Sequence, residues 1–264
     1  MKKRSNSVLK TSSEVDEAIN HLRSLDLFPH HDRVKSWDTH KMIDIINRAD
    51  RNSFILDVGC NDSPILPMLK RLGFRNLYGC DLFLNRIINP SLMKVVHSFY
   101  KRNYKPIIEM YENEVFTISI QDLEKTNFQN NMFDHITSLS VIEHGVNTQN
   151  YFKEMNRILK KGGMLLTSSD YWPDKLINKI INKDIRKMSP NNVFSKEEIE
   201  KNVIDVAEQN GFTLTEPIDF THEEKVVHWR ATTIERDYTF IFFALRKDKS
   251  SIEYLLPLSV YALQ

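Results

Sequence analysis

The chain has 264 residues, of which 41% are hydrophobic and 27% are charged, and this composition predicts one globular domain with modest additions. The formal net charge is only +1, which gives no overall attraction to nucleic acid, and we expect no nucleic-acid partner. No apolar run approaches the roughly 20 residues that span a bilayer, and Met1-Lys2-Lys3-Arg4 leads into polar residues instead of an apolar signal core. We therefore expect a cytoplasmic protein without a membrane span.

The first 50 residues predict a helical segment in front of the main domain. Residues 1–13 are basic and polar, and we expect them to be frayed. Ser13 and Asp16 form a capping-box pattern, and Asp38 is expected to be the N-cap of a second helix. The predicted helices cover residues 13–25 and 39–48.

A strand, a turn, a helix and a second strand follow one another between residues 54 and 81. Residues 54–58 form an apolar run broken by Asp57, as expected of a strand that is buried on both faces of a parallel sheet. Apolar residues recur at helical spacing over residues 64–72, and Gly73 ends that helix. This order of elements is typical of a pocket for a nucleotide-type cofactor.

The second strand of this unit, residues 77–80, places Asp81 at its carboxyl end. Ligands of open α/β sheets bind at that edge, and an acid there can accept hydrogen bonds from both hydroxyls of a ribose. The alternative is that Asp81 caps a short helix that begins at Asn85.

The turn after the first strand contains one glycine, Gly59, where a dinucleotide fold would use G-x-G-x-x-G to bring backbone amides to a pyrophosphate. It instead resembles the first motif of class I S-adenosylmethionine (SAM) dependent methyltransferases, an acid-x-Gly-x-Gly-x-Gly loop matched at Asp57, Gly59, Asn61 and Ser63. Two glycines of that motif are replaced. Because asparagine tolerates left-handed backbone angles, we expect Asn61 to hold the second glycine position.

Three further segments match the same family in the same order. A strand over residues 115–120 ends at Gln121 and Asp122, residues 133–144 resemble the fourth strand with its Ile-Glu-His exit, and residues 151–167 resemble a helix, a Lys-Lys-Gly-Gly turn and a fifth strand. Lys160 and Lys161 in that turn are expected at a solvated helix terminus. The resemblance covers roughly residues 35–247.

The rest of the chain predicts two insertions and the last elements of the fold. A basic and aromatic stretch over residues 85–114 predicts an inserted helix, and residues 171–194 predict an irregular segment after the fifth strand. Ser195 and Glu198 form a capping box that opens a helix ending at Asn210. The last two strands are predicted over residues 212–220 and 239–245, as an antiparallel pair.

The resemblance implies an α/β fold: a Rossmann-like seven-stranded sheet, mostly parallel with a final antiparallel strand, and helices on both faces. It implies SAM as cofactor, with S-adenosylhomocysteine as product. We expect a helical lid over residues 1–50 that folds over the cofactor cleft, a SAM-binding domain over residues 51–247, and a tail over residues 248–264.

The resemblance also implies which residues bind the cofactor. Asp81 is expected at the ribose, and Asp122 either contacts the adenine amino group or bonds its own turn. The expected cofactor-binding residues are Asp57, Gly59, Cys60, Asn61, Asp81, Leu82, Gln121, Asp122 and Ser140.

Glu143 and His144 leave the fourth strand at the same edge, so they are the candidate catalytic residues. His144 either takes the proton of an acceptor hydroxyl, or packs on the cofactor and caps the next helix. The candidate acceptor-binding residues, each of which can equally be a residue of the core, the surface or a turn, are His30, Trp37, Asp170, Tyr171 and Trp172.

The histidines do not fall at metal-ligand spacing with cysteines or acids, so we expect no required metal. Cys60 and Cys80 fall at the ends of adjacent predicted strands and are expected to be reduced, buried thiols. The sequence as a whole predicts a SAM-dependent methyltransferase, with a hydroxyl oxygen of a sugar or surface-polysaccharide precursor, small or carrier-linked, as acceptor. The alternatives are a degenerate SAM-binding or partner-binding protein without turnover, and an NAD-linked oxidoreductase.

Overall fold

The computed structural model describes residues 5–82, 116–176, 179–180, 193–231 and 234–248. The predicted inserted helix over residues 85–114 and most of the tail after residue 248 lie outside these described residues, as does most of the irregular stretch before residue 193. The strands are β1 (Ser7–Val8), β2 (Phe54–Val58), β3 (Asn76–Asp81), β4 (Thr117–Ile120), β5 (Phe133–Leu139), β6 (Leu159–Tyr171), β7 (Lys179–Ile180), β8 (Phe212–Leu214), β9 (Val227–Ala231) and β10 (Ile234–Lys247). The helices are α1 (Ser12–Ser24), α2 (Ser36–Ile46), α3 (Ile65–Arg71), α4 (Thr148–Ile158), α5 (Lys196–Glu198) and α6 (Asp205–Gln209), and a π-helical stretch, Ile199–Ile204, joins the last two.

One sheet organises the chain, in the order β1-β10-β6-β5-β2-β3-β4. Strands β2 to β6 run parallel, whereas β10 is antiparallel to β6 and to β8. The predicted α/β fold with a mostly parallel sheet and a final antiparallel strand is confirmed. The described strands number ten rather than seven, because the short strands β1, β7 and β9 also pair with β10.

Helices cover both faces of the sheet. In β10, Phe240 and Phe242 pack into the core cluster with α1, α2 and α3, while Ile241 and Phe243 pack into the cluster with α4 and α6. This alternation follows from the two-residue period of a strand. Since both faces are buried, the apolar run that predicted β2 has almost no polar interruption.

Residues 5–13, the described part of the segment 1–13, are ordered, contrary to the expectation that they are frayed. Ser7 pairs with Phe242 along β10, and the buried side chain of Asn6 accepts a hydrogen bond from the backbone N–H of Ala244, 2.9 Å away. The prediction was wrong because it used only the composition of the segment itself. The segment is ordered because it pairs with β10, a strand that is distant in sequence.

The predicted N-termini of α1 and α2 were also wrong. Thr11 is the N-cap of α1 and makes no side-chain cap; instead Glu224 accepts a hydrogen bond from the backbone N–H of Ser12 at 3.0 Å. The N-terminus of α1 is therefore capped by the carboxylate of Glu224, which is distant in sequence, and not by the predicted capping box at Ser13. Asp38 lies inside the first turn of α2, fully buried.

Strand β6 begins earlier than predicted, directly after α4. Lys160 is consequently not at a solvated helix terminus: its Nζ lies 2.8 Å from Oδ2 of Asp134, which also accepts from the backbone N–H of Phe54. A Cβ on Gly163 would lie 2.9 Å from the backbone oxygen of Asp134, so this close strand pairing needs a glycine.

The capping box at the start of α5 is confirmed, since Ser195 and Glu198 each accept a hydrogen bond from the backbone N–H of the other. The last helix, α6, ends at Gln209 with Asn210 as its C-cap, one residue before the predicted end, and Gly211 takes the left-handed conformation with φ of 85°. Within the described part of the chain, no helix combines the length and the apolar character that crossing a membrane requires.

Candidate active site

A cleft opens at the carboxyl ends of β2, β3 and β5, where open α/β sheets bind ligands. Its volume is about 560 Å³, within the range of roughly 300–1,000 Å³ of small-molecule pockets. The lining residues come from the segment before α2, from the two turns after β2 and β5, and from the ends of β3 and β4. They are His30, His31, Asp32, Lys35, Gly59, Asn61, Ser63, Asp81, Leu82, Leu123, Leu139, Ser140, Val141, His144 and Val146.

Gly59 forms the floor of the cleft. Its φ is +70°, and a Cβ at this position would lie 2.5 Å from Cγ2 of Val141, so both the backbone angle and the space require glycine. The chain then makes a 3-10 turn, Cys60–Asp62, and Ser63 is extended with φ of −82°. Asn61 is not left-handed, contrary to our expectation, because the 3-10 turn replaces the second glycine conformation of the family loop.

Asp81 lies at the rim beside this turn, and its Oδ2 accepts a hydrogen bond from the backbone N–H of Asn61 at 3.2 Å. The next residue, Leu82, lines the cleft and is 53% exposed. A carboxylate and an exposed apolar side chain are thus neighbours. A ligand made of a sugar and an aromatic base has matching parts, since the sugar hydroxyls can donate to a carboxylate and the base can pack on an apolar side chain.

Asp57 and Cys60 lie beneath the floor rather than among the lining residues. Thr137 Oγ1 donates to Oδ1 of Asp57 at 2.6 Å, and burial raises the pKa of that carboxyl to about 7. Burial also raises the pKa of the Cys60 and Cys80 thiols well above the usual range. Both cysteines are free and buried, which confirms the prediction of two reduced thiols.

The side chains of Gln121 and Asp122 hold the turn after β4. Oδ1 of Asp122 accepts from the backbone N–H of Glu124 at 2.9 Å, and Oε1 of Gln121 accepts from the backbone N–H of Asn127 at 3.0 Å. Of this turn, Leu123, the residue after Asp122, is the one that lines the cleft.

Ser140 is in the left-handed region with φ of +52°, which is uncommon for serine and marks a strained exit from β5. Its backbone N–H donates to the backbone oxygen of Ser168 at 3.2 Å, and its Oγ accepts a hydrogen bond from Nζ of Lys35. The segment before α2 is thereby tied to the end of β5 across the cleft.

Three histidines line the cleft near this tie. His144 ends the 3-10 turn Ile142–His144, while His30 and His31 come from the segment before α2, with ring centroids 4.1 Å apart. Nδ1 of His30 accepts from the backbone N–H of Asp32 at 2.9 Å, and burial, followed by the charges of His31 and Lys35, holds its pKa well below the usual value. His30 is therefore neutral, with its proton on Nε2.

Buried carboxyls lie behind the same end of the cleft. Glu143 is 1% exposed, and Ser169 Oγ donates to its Oε2 at 3.1 Å. Burial and then the charge of Asp170 raise the pKa of Glu143. Burial also raises the pKa of Asp170, against which the charge of Lys35 and a hydrogen bond from Tyr238 act. Glu143 is thus a buried acid of the wall and not a group exposed to an acceptor.

The aromatic candidates lie outside the cleft. Trp37 is buried under α1, with Nζ of Lys41 4.7 Å from its ring centroid; Tyr171 is fully buried, and Trp172 packs against His222 with ring centroids 5.1 Å apart. These large side chains pack in the core or on the surface. Their positions in the sequence do not show that they lie outside the cleft.

Lys35 is a cleft residue that sequence reasoning missed. No local pattern marks it, because its surroundings are assembled from α2, β5 and β6. Among the described residues, no group of three or more His, Cys, Asp or Glu side chains is arranged to hold a metal ion.

Comparisons with known proteins agree with this geometry. Residues 56–167 match the family model described as a methyltransferase domain. The ubiquinone biosynthesis O-methyltransferase of Dictyostelium discoideum mitochondria is 29% identical over 144 residues, which are 52% of this chain and 41% of that protein. This chain therefore matches less than half the length of that curated relative.

Solved structures share the fold at low identity. The MccD protein aligns with a TM-score of 0.53 and 16% identity, over 80% of this chain and 96% of its own. Phosphoethanolamine N-methyltransferase 2 of Haemonchus contortus, in complex with SAM, aligns with a TM-score of 0.51 and 13% identity, over 80% of this chain and 52% of its own. These likenesses show the fold alone, whereas the family model shows that residues 56–167 match a methyltransferase domain, in agreement with the sheet order and the glycine turn.

Proposed function

We propose that this protein is an O-methyltransferase that transfers the methyl group of SAM to a hydroxyl oxygen of a sugar or surface-polysaccharide precursor. The observation that carries the proposal is that Asp81, the Gly59 turn and His144 line one continuous cleft. A group that can hold a ribose and a group that can take a proton are therefore accessible to ligands in the same space.

The residues of the cleft fit the cofactor. Asp81 would accept hydrogen bonds from the ribose hydroxyls, and the floor at Gly59, which has no room for a Cβ, would let the ligand approach the backbone closely. Leu82 and Leu123 would cover the adenine, with Gln121 and Asp122 shaping the turn behind it. When bound, SAM supplies an electrophilic methyl group on a sulfonium sulfur and leaves as S-adenosylhomocysteine.

Ser140 lines the same cleft as Gly59 and His144, and we place it near the boundary between cofactor and acceptor. Its strained backbone is held by β6 through Ser168, which keeps this boundary rigid. A rigid boundary favours an in-line displacement, because the acceptor atom must stay aligned with the carbon–sulfur bond.

His144 is the base in this proposal. It lies at the rim of the cleft on a 3-10 turn whose end, Gly145, is left-handed with φ of 88°. A ring nitrogen of an imidazole can accept the proton of a hydroxyl group that lies within hydrogen-bond reach. The choice of oxygen as acceptor atom also draws on the Dictyostelium relative, whose name describes an O-methyltransferase.

Calorimetric titration of the full chain with SAM, S-adenosylhomocysteine and NAD tests the cofactor assignment. We expect binding of both adenosyl-sulfur ligands and none of NAD. Release of S-adenosylhomocysteine in the presence of sugar or nucleotide-sugar acceptors then tests the reaction. Binding of SAM without turnover on any acceptor would favour a SAM-binding protein without activity, and binding of NAD in place of SAM would favour an oxidoreductase.

A further inference from the structure

Lys35 lines the cleft beside Ser140. It ends the 3-10 turn Arg33–Lys35 that runs into α2, and it lines the same space as His144 and Ser140. Its Nζ donates to Oγ of Ser140 and lies 4.8 Å from the ring centroid of Phe240. An ammonium group carries three donors, so a lysine in this place can also serve a ligand in the cleft.

Three buried acids interact electrostatically with this ammonium group. Asp38, Glu143 and Asp170 are 0%, 1% and 4% exposed, and the charge of Lys35 acts on all of them. Burial raises the pKa of Asp38 to about 6 and also raises the pKa of Glu143 and Asp170, whereas Lys35 lowers each.

Other groups that line the cleft offset the positive charge that Lys35 brings. His30 adds none, since its Nδ1 accepts a backbone hydrogen bond, and Asp32 and Asp81 add negative charge to the lining. A phosphate or carboxylate next to Lys35 would therefore meet a cation whose charge Asp32 and Asp81 already offset. A neutral hydroxyl needs a hydrogen-bond donor and no surplus charge, so this environment suits a neutral acceptor.

We propose that Lys35 is a further catalytic residue, whose ammonium group donates a hydrogen bond to the hydroxyl oxygen of an uncharged acceptor while His144 receives the hydroxyl proton. This proposal rests on the function proposed above and names its acceptor class. The acceptor O–H bond breaks with its proton on His144, the O–CH₃ bond forms from the oxygen electron pair, and the carbon–sulfur pair remains on the departing thioether. Lys35 stabilises the negative charge that the oxygen gains as its proton leaves.

The test compares Lys35→Gln and Lys35→Arg with the matched control Arg33→Gln. Arg33 lies on the same 3-10 turn but pairs with Asp16 on the surface and does not line the cleft. Each full-length variant is assayed with SAM and paired probes, methyl glucoside with methyl glucuronide and catechol with protocatechuate. S-adenosylhomocysteine release gives turnover, and calorimetry gives the affinity for SAM.

We expect wild type and Arg33→Gln to methylate the uncharged member of at least one pair faster than its carboxylated counterpart. Lys35→Gln should lose about 100-fold in kcat, the usual effect of removing one donor at a developing oxyanion, with unchanged affinity for SAM. Lys35→Arg keeps the charge that faces the buried acids and changes the donor geometry. It should therefore stay folded and still lose turnover, even if Lys35→Gln fails to fold.

Equal kcat in wild type and Lys35→Arg, or in wild type and a folded Lys35→Gln, would overturn the catalytic role. Transfer that favours the carboxylated probes, or SAM binding without transfer to any probe, would overturn the uncharged acceptor. Failure of the wild type to bind SAM would instead overturn the proposed function itself, so the two failures are distinct.

Discussion

The carboxylate of Asp81 accepts a hydrogen bond from the backbone N–H of Asn61, with the oxygen and nitrogen 3.2 Å apart. The bond joins the end of β3 to the 3-10 turn after β2. It fixes the carboxylate at the rim of the cleft, beside the glycine floor. In a glycine-rich loop, the backbone conformation itself would hold the turn in place. Here the side-chain contact between Asp81 and Asn61 does part of this.

Asp81→Ala should weaken binding of SAM and of S-adenosylhomocysteine by about 10- to 100-fold, since hydrogen bonds to a charged group contribute about 1.5–3 kcal/mol. Calorimetric titration measures both affinities. Asp44→Ala is the control, because Asp44 pairs with Arg48 on the surface of α2 and does not line the cleft. Equal affinity in wild type and Asp81→Ala would contradict the ribose assignment.

His144→Asn should lower kcat by about 10²- to 10⁴-fold, the range for loss of a general base, and leave SAM affinity unchanged. His222→Asn serves as control, because His222 is an exposed histidine outside the cleft, packed on Trp172. Methyl transfer is followed through S-adenosylhomocysteine release. Unchanged kcat in His144→Asn, with SAM still bound, would assign His144 to packing on the cofactor.

Gly59→Ala should destabilise the fold by more than Gly162→Ala. Both glycines have left-handed φ, +70° and +79°, but the new Cβ meets Val141 at 2.5 Å in the first case and nothing within 4 Å in the second. Backbone strain costs about 1–2 kcal/mol in both, and overpacking adds about 1–3 kcal/mol at position 59. Urea denaturation measures the difference, and equal losses would show that the contact with Val141 relaxes without cost.

Asp57→Asn should change the pH dependence of stability. Burial raises the pKa of Asp57 from 3.8 to about 7, so between these values the folded state holds a proton that the unfolded state has lost. This carboxyl therefore makes the free energy of unfolding fall as pH rises from about 4 to 7, by at most about 1.4 kcal/mol per pH unit. The amide variant keeps an oxygen to accept from Thr137 and removes the titration.

Urea denaturation of wild type and Asp57→Asn at several pH values between 4 and 8 measures this slope. Asp44→Asn provides the control, because Asp44 is on the surface of α2, paired with Arg48. A wild-type slope that persists in Asp57→Asn would show that other buried acids, such as Asp38, govern the pH dependence.

Elements with strong local periodicity were predictable. The apolar run of β2, the helical spacing of α3 and the capping box of α5 each depend on residues a few positions apart, and the structure has them within one or two residues of the predicted bounds. The starts of α1 and β6 were not predictable in this way. Glu224 and Asp134, which hold them, are distant in sequence.

For this protein, the sequence by itself determined the order of elements around the cofactor cleft and its methyltransferase resemblance, because apolar periodicity, Gly59 and Asp81 are local signals. Only the tertiary structure decided that Trp37 and Tyr171 belong to the core and that Lys35 reaches the cleft. The buried acids that interact with Lys35 come from three elements: Asp38 from α2, Glu143 from the turn after β5, and Asp170 from β6. Burial and charge pairing are properties of that assembled environment, and no spacing along the chain encodes them.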